Sequence, residues 1–402
     1  MKKIVSLLMV AVMLLSCAAL VACGGETAEE PAAEAKAVKV GFIFLHDENS
    51  TYDKNFMDAA TAATEALGLS ADQVMIKTNI PETNECYEAA ADLVDAGCDL
   101  IFADSFGHED FIIQAAKEFP EVTFCHATGT KAHTENLSNF YNAFASIYEG
   151  RFLVGVAAGL KLNEMIADGK ITAEQAKIGY VGAYPYAEVK SGYTSFYLGA
   201  KYVCPSATMD VKFTNSWFDI AAEKETANAL IADGCVLISQ HADSEGAPKA
   251  CEEAGVPNIA YNLDTREWGP NTALVSSKIN WQPYFEHIIT ATINGTAIEQ
   301  DFCKGLKDDV VQILGLNEAV AAEGTQEKLD EIKGKLIAGE IKVFDTKTFT
   351  VGGAELTSYQ ADVDSDANFE KDTEVVSDGY FHESEFRSAP YFDVDIDGIT
   401  IK

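Results

Sequence analysis

The chain has 402 residues, is 48% apolar, and carries 63 acidic against 29 basic side chains, a formal net charge of −34. That length and apolar content supply two domains, each with its own core. The acidity excludes nucleic acid, which needs a basic face to displace counterions, and excludes a polybasic hold on lipid. It suits a soluble exported protein, with a cationic ligand as the sharper reading.

In chain order, residues 1–22 read as a secretion signal. Lys2 and Lys3 precede an apolar run at 4–15 that is too short for a stable span. Leu20-Val21-Ala22-Cys23 follows and looks like a bacterial lipobox, which makes Cys23 the expected lipidation site. Residues 23–37 are rich in Gly, Ala and Glu, as a flexible tether is. No later stretch is long and apolar enough to cross a bilayer. The expected location is therefore extracytoplasmic, with the lipid anchor as the only membrane contact. Beyond the leader, seven cysteines remain and none forms a C-x-x-C pair.

From residue 38 the chain states one unit twice. "VKVGFIFLHD" (38–47) is echoed by "AKIGYVGAYP" (176–185), and "DLVDAGCDLIFADS" (92–105) by "ALIADGCVLISQHADS" (229–244). "EFPEVTFCHATG" (118–129) is answered more loosely by "EEAGVPNIAYNLD" (252–264), all at one offset of ~137 residues. Strands are expected near 38–45, 74–79, 99–103 and 122–126, with helices near 51–67, 84–95 and 110–119. The second half repeats them at 177–183, 209–214, 236–240 and 256–261, with helices at 186–203, 220–233 and 246–254. Near-continuous apolar strands separated by helix-length spacers indicate parallel sheets covered on both faces. Right-handed crossovers make each half a doubly wound α/β lobe, with a cleft between them. Cys98 and Cys235 hold equivalent positions just before a strand and read as small core residues. Residues 142–165 read as one long helical run, with small residues on one face, that carries the chain between lobes. Residues 337–402 are richer in strand and turn signals than in helix.

In open parallel sheets, ligands bind beyond the carboxyl ends of the strands. That rule selects His46, Asp47 and Tyr52, then Ser105, Phe106 and His108, then His126 and Thr128. In the second lobe it selects Tyr184 and Tyr186, Asn215 and Trp217, His241 and Asp243, and Asn262 and Asp264. Rings alternating with amides and carboxylates suit a flat heteroaromatic ligand, sandwiched and read along its edge. "DVDSDANFEKDTE" (362–374) imitates a calcium loop, but Ala367 stands where Gly is needed and Thr373 where a bidentate Glu is needed. "DVDIDG" (393–398) ends too early. No phosphate-binding loop, nucleophile elbow or zincin motif occurs. The expectation is no enzyme, no metal and no cofactor.

Taken together, "DLIFADSFGH", "FCHATG", "YEGRFLVGVAAG", "NSWFD", "QHADS" and "YNLDTREWGP…VSSKINWQPYF" make residues 38–355 resemble the basic membrane protein family. These are lipid-anchored solute-binding components of ABC importers, and characterised members bind purine nucleosides or bases. The resemblance implies a type I periplasmic-binding-protein fold, with two doubly wound lobes, a three-stranded hinge and closure on the ligand. It also implies a return of the chain to the first lobe after residue 264. The expected domains are thus 38–145 plus 265–296, and 146–264 plus 297–402. Partners implied are a purine-type small molecule and the transmembrane subunits of an ABC permease.

Where the family offers Ser-Phe-Asn after its first strand, this chain has Thr51-Tyr52-Asp53. Tyr52 can still stack, and Asp53 changes what is read. Phe106 and Trp217 are candidate walls, and Asp243 faces the cleft. The ribose-gripping Asp-x-Asp becomes Asn262 with Asp264, and the accompanying Lys position falls at Asn280, beside Lys278 and Trp281. A neutral amide pair with Trp281 added as a ligand-binding residue suits a base better than a nucleoside, whose ribose needs that grip. Two other readings stay open: a sensor lipoprotein, or a secreted nucleosidase using Asp47, Asp243 or Asp264. A different solute, such as a sugar or riboflavin, also remains open.

Overall fold

Residues 37–402 are described by the computed structural model, so the expected signal peptide, Cys23 and nearly all of the tether lie outside the described residues. The first part builds β1 (Val40–Ile43), α1 (Thr51–Ala66), β2 (Val74–Lys77), α2 (Asn84–Asp95), β3 (Leu100–Ala103), α3 (Glu109–Glu118), β4 (Thr123–Ala127), a short α4 (Ala132–Glu135) and β5 (Phe140–Ala145). The second builds α5 (Ile147–Ala167), β6 (Lys177–Gly182), α6 (Ala187–Val203), β7 (Thr208–Phe213), α7 (Ile220–Ala232), β8 (Leu237–Gln240), α8 (Gly246–Ala254) and β9 (Asn258–Tyr261). Then come β10 (Ala273–Ile279), α9 (Gln282–Asn294), β11 (Asp301–Lys304), β12 (Val311–Leu314) and α10 (Thr325–Ile337). Two minimal hairpins follow, β13 (Gln360–Ala361) with β14 (Thr373–Glu374) and β15 (Val376–Ser377) with β16 (Tyr380–Phe381), and the chain ends in β17 (Ile399–Ile401).

The repeat-derived strands and helices fall within a few residues of where they form. Helices start where the sequence supplies caps: the Ser50, Thr83 and Asp219 side chains accept backbone N–H groups of Asp53, Glu85 and Ala222. β1 and β3 are wholly buried, which is what apolar runs without alternation require. The first sheet is parallel throughout, in the order β11-β5-β4-β3-β1-β2. The second runs β12-β10-β9-β8-β6-β7-β17, parallel except for β12. This is the α/β architecture of two doubly wound lobes. Cys98 and Cys235 are buried in their lobes, and no disulfide forms among the described residues.

Two stretches differ from expectation. The run at 142–165 divides: β5 pairs with β4, and the helix begins only at Ile147. The alternating Phe140, Asn142 and Phe144 fit a pleated strand, and sheet pairing overrides the helical run beyond them. The small residues of α5 pack closely against α6. A Cβ on Gly155 would stand 2.0 Å from the Phe196 carbonyl oxygen, and one on Gly199 2.0 Å from that of Phe152, so only glycines permit this α5–α6 approach.

The second difference is the route through 265–296 and 297–402. β10 stays in the second sheet beside β9. Of residues 265–296 only α9 returns to the first lobe, where Phe285 packs on Phe42, Phe56 and Phe102. β11 extends the first sheet, and β12 re-enters the second. The apolar run of β10 pairs in parallel with β9, with a register shift between Ala273 and Val275, and that pairing keeps it in the second lobe. The chain therefore crosses between lobes at 145–147, 279–282 and 304–311. Crossing segments are tied together: Ser146 N donates to Lys304 O, Asn280 N to Val310 O and Leu306 N to Glu149 Oε2.

The C-terminal segment touches both lobes. Ser388 accepts from Asn142 and donates its N–H to Asp301 in the first lobe. In the second, Lys190 pairs with Asp393 and Asp395, and β17 lines β7. Among the described residues no helix is long and apolar enough to cross a membrane.

Candidate functional site

The carboxyl ends of β1, β3 and β4 face those of β6, β7, β8 and β9, and one pocket lies between them. From the first lobe, Leu45, His46, Tyr52, Asp53, Ser105, Phe106 and Thr128 line it; from the second, Glu188, Trp217, His241, Asp243 and Tyr261. The lobes touch across it. Thr51 N donates to Asp243 O at 2.8 Å, Asn55 donates to Ile279 O, and the rings of His46 and Phe218 lie 5.3 Å apart.

On the first-lobe side, the Asp53 carboxylate accepts from His46 N (2.7 Å) and Ser50 Oγ (2.6 Å), with His46 Nδ1 at 3.3 Å. Burial pushes this carboxyl up, but the hydrogen bonds from His46 and Ser50 outweigh it and hold the pKa below the ordinary value. Tyr52 Oη donates to Asp104 O, Ser105 Oγ to Glu82 and Thr128 Oγ1 to Ala127 O. Thr128 sits at φ 68, a left-handed conformation uncommon for a β-branched residue, and this turn aims it at the cleft.

On the second-lobe side, Asp243 is 5% exposed and accepts from Asn262 Nδ2 at 3.2 Å. Burial, then the neighbouring carboxylates of Glu223, Asp53 and Glu188, push its pKa well up. Glu188, near the start of α6, meets His241 Nε2 at 3.3 Å. Behind this wall lies Arg151, fully buried on α5, with its guanidinium 3.5 Å from the centre of the Tyr261 ring. An aromatic row closes one side: Phe106 meets Tyr186 across the cleft at 5.4 Å, Tyr186 stacks on Tyr184, and Tyr184 meets Trp217 edge-on at 5.1 Å.

The structure thus brings together Tyr52, Asp53, Phe106, Trp217 and Asp243. Asn262, at φ 71, backs Asp243 instead of lining the pocket. Asp264 pairs with Arg266 on the flank of the cleft, where Asn262 and Lys278 also lie. Trp281 is placed differently from its expectation. It is 1% exposed and stacks on Phe56 at 4.4 Å among Phe102, Phe144 and Tyr284, because the start of α9 is buried in the first lobe. Asn280 belongs to the hinge, bonded to Val310 O and Asp309 O. His108 and His126 lie beneath the first-lobe wall on Ile80 O and Ser105 O, and burial lowers each to about 4.

Sequence reasoning missed Leu45, Glu188, Tyr261 and Arg151. The first three sit within a few residues of the strand ends it examined, so a wider window would have included them. Asp47, Asp243 and Asp264 do not converge: Asp47 caps its own turn on Asn49, and Asp264 is held by Arg266. Among the described residues, Asp364, Asp366 and Asp372 each bring a carboxylate oxygen within 4.8 Å of the others. They are the one such group, within the loop whose register from Asp362 lacks the calcium pattern. Chemically, the cleft can stack a flat ring and accept hydrogen bonds from its edge.

The sequence pattern of the ABC transporter substrate-binding protein PnrA-like family matches residues 40–347. A purine-binding protein of Brucella abortus is 32% identical over 310 residues, covering 76% of this chain and 83% of that protein. A Haloferax volcanii protein named for glucose binding in an ABC transporter is 30% identical over 272 residues, 67% of this chain and 62% of that one. Among solved structures, a solute-binding protein of an ABC transporter system from Aeropyrum pernix superimposes with a TM-score of 0.64 at 18% identity. It spans 76% of this chain and 93% of its own.

Proposed function

Because the chain belongs to the PnrA-like family of ABC transporter substrate-binding proteins, which carry solutes outside the cytoplasm and are not enzymes, we propose that it captures a purine base or nucleoside between its lobes. The loaded, closed form then delivers the solute to the transmembrane subunits of an ABC permease, and a lipid on Cys23 holds the protein at the membrane surface. The observation that carries this reading is a cleft between the lobes where Phe106, Tyr52 and Trp217 stand beside Glu188 and Asp243. Rings bury the faces of a heteroaromatic ligand, and the carboxylates accept from its N–H edge. The kinship with the Brucella abortus purine-binding protein supports the same ligand class.

A base is favoured over a nucleoside. The groups expected to grip a ribose are committed elsewhere: Asn262 to Asp243, Asp264 to Arg266 and Asn280 to the hinge. The Haloferax volcanii relative favours a sugar as the second reading. A thermal-shift screen against purine bases, nucleosides, riboflavin and glucose separates them, since a ligand at about 100 times its Kd stabilises by about 2.7 kcal/mol. A shift with bases and not with glucose is expected; a shift with glucose alone contradicts the proposal.

A further inference from the structure

The second-lobe wall contains a hydrogen-bond chain whose direction chemistry fixes. Arg151 Nη1 donates to Gln240 O at 3.0 Å, and Nη2 lies 3.3 Å from His241 Nδ1. A guanidinium has donors and no acceptor, so Nδ1 must accept and cannot carry the imidazole proton. Tyr180 Oη, 3.4 Å from the same nitrogen, can donate to it as well. The ring proton of neutral His241 therefore sits on Nε2, which faces Glu188 Oε1 at 3.3 Å. Gly192 on α6 leaves room for this arrangement, because a Cβ there would stand 3.0 Å from His241 Nδ1. Burial favours the neutral ring by lowering its pKa.

Among the described residues no lysine or arginine lines the pocket, while Asp53, Glu188 and Asp243 do. Arg151 supplies positive charge from behind the Tyr261 ring without offering the ligand a donor. Asp53 is already bonded to His46 and Ser50. Glu188 and Asp243 are bonded on one oxygen each, Oε1 to His241 and Oδ1 to Asn262 and Thr51, which leaves Glu188 Oε2 and Asp243 Oδ2 as acceptors for the ligand.

The geometry points to Arg151 as a positioning residue that, through His241, holds Glu188 as a hydrogen-bond acceptor, so that the cleft selects ligands by the N–H donors they present. This rests on the purine reading for its probes. A ligand edge with an exocyclic amino group meets an acceptor. An edge with a carbonyl at the same place puts oxygen against carboxylate.

The test has two arms. In the first, calorimetric titration compares adenine with hypoxanthine, which replaces the amino group by a carbonyl. Adenine is expected to bind about tenfold or more tighter, the scale of one hydrogen bond to a charged group. Glu188→Gln, which can donate as well as accept, is expected to shrink that ratio below about threefold, and so is Arg151→Met. His241→Gln, whose amide can both accept from Arg151 and donate to Glu188, is expected to retain it. An unchanged ratio in Glu188→Gln overturns the proposal.

In the second arm, nitrogen-15 NMR of the ligand-free protein reads the His241 tautomer at neutral pH. The Nε2–H form is expected. An Nδ1–H form or an imidazolium overturns the positioning role even if Arg151→Met fails to fold. If no purine binds, the proposed function fails, while the tautomer still reports on Arg151.

Discussion

On the first-lobe side of the cleft, polar side chains turn back into their own lobe. Tyr52 is bonded to Asp104 O, Asp53 to the His46 backbone, Ser105 to Glu82 and Thr128 to Ala127 O. On the second-lobe side, Glu188, His241 and Asp243 line the pocket, with Arg151 and Asn262 arranged behind them. The walls come from the two halves of a duplicated unit but use different polar side chains, His46, Tyr52, Asp53, Ser105 and Thr128 in the first and Glu188, His241 and Asp243 in the second. The first wall has become a preset shape, and the second holds acceptors at a cost in desolvation. Changes to the polar groups of the first should appear mostly as stability, and changes in the second mostly as affinity.

The largest break in affinity should come from Trp217→Ala, about 2–4 kcal/mol by titration calorimetry, as for a central aromatic anchor. Unchanged affinity would remove Trp217 from the site. Asp243→Asn comes next, at about 1.5–3 kcal/mol for a lost charged acceptor. Its proton linkage sharpens the comparison. Burial and the facing carboxylates of Glu223, Asp53 and Glu188 raise the Asp243 pKa, with Arg151 opposing. A ligand donor favours the ionised form, so affinity should rise with pH through that raised pKa, with proton release on binding. Calorimetry in buffers of different ionisation enthalpy reads this directly, and proton uptake would contradict the acceptor role.

Asp53→Asn should lower stability by about 1–2 kcal/mol in chemical denaturation, with a smaller change in affinity. The sign follows from its lowered pKa. The stabilisation is fully present above the unfolded value of about 3.9 and is lost as pH falls through the folded value, so the variant should lose less stability in acid. The smallest effect belongs to Asp264→Ala, whose part-exposed pairing with Arg266 predicts affinity within about twofold of the parent.

Much of the fold was legible because the unit is repeated. Caps such as Ser50, buried strands such as β3 and the Cys98–Cys235 equivalence all follow from local sequence. β10 was harder, since an apolar strand carries no mark of which sheet will take it. The cleft was legible as strand ends, which located Tyr52, Phe106, Trp217 and Asp243, while Asp53 came from the family resemblance. Trp281 shows where that reasoning stops: an aromatic at a helix start fits a cleft wall or a core equally, and only packing against Phe56 decides. Arg151 lay within a segment read for its small residues. Only the tertiary fold brings its guanidinium behind Tyr261, more than a hundred residues away in sequence.

The central claim, that the second lobe does the reading, is tested most directly by titrating adenine into the parent, Tyr52→Phe and Asp243→Asn side by side. The Tyr52 hydroxyl is committed to Asp104 O, so Tyr52→Phe should stay within about threefold of the parent, while Asp243→Asn loses about tenfold or more. Equal losses in the two variants, or a larger one in Tyr52→Phe, would contradict the account.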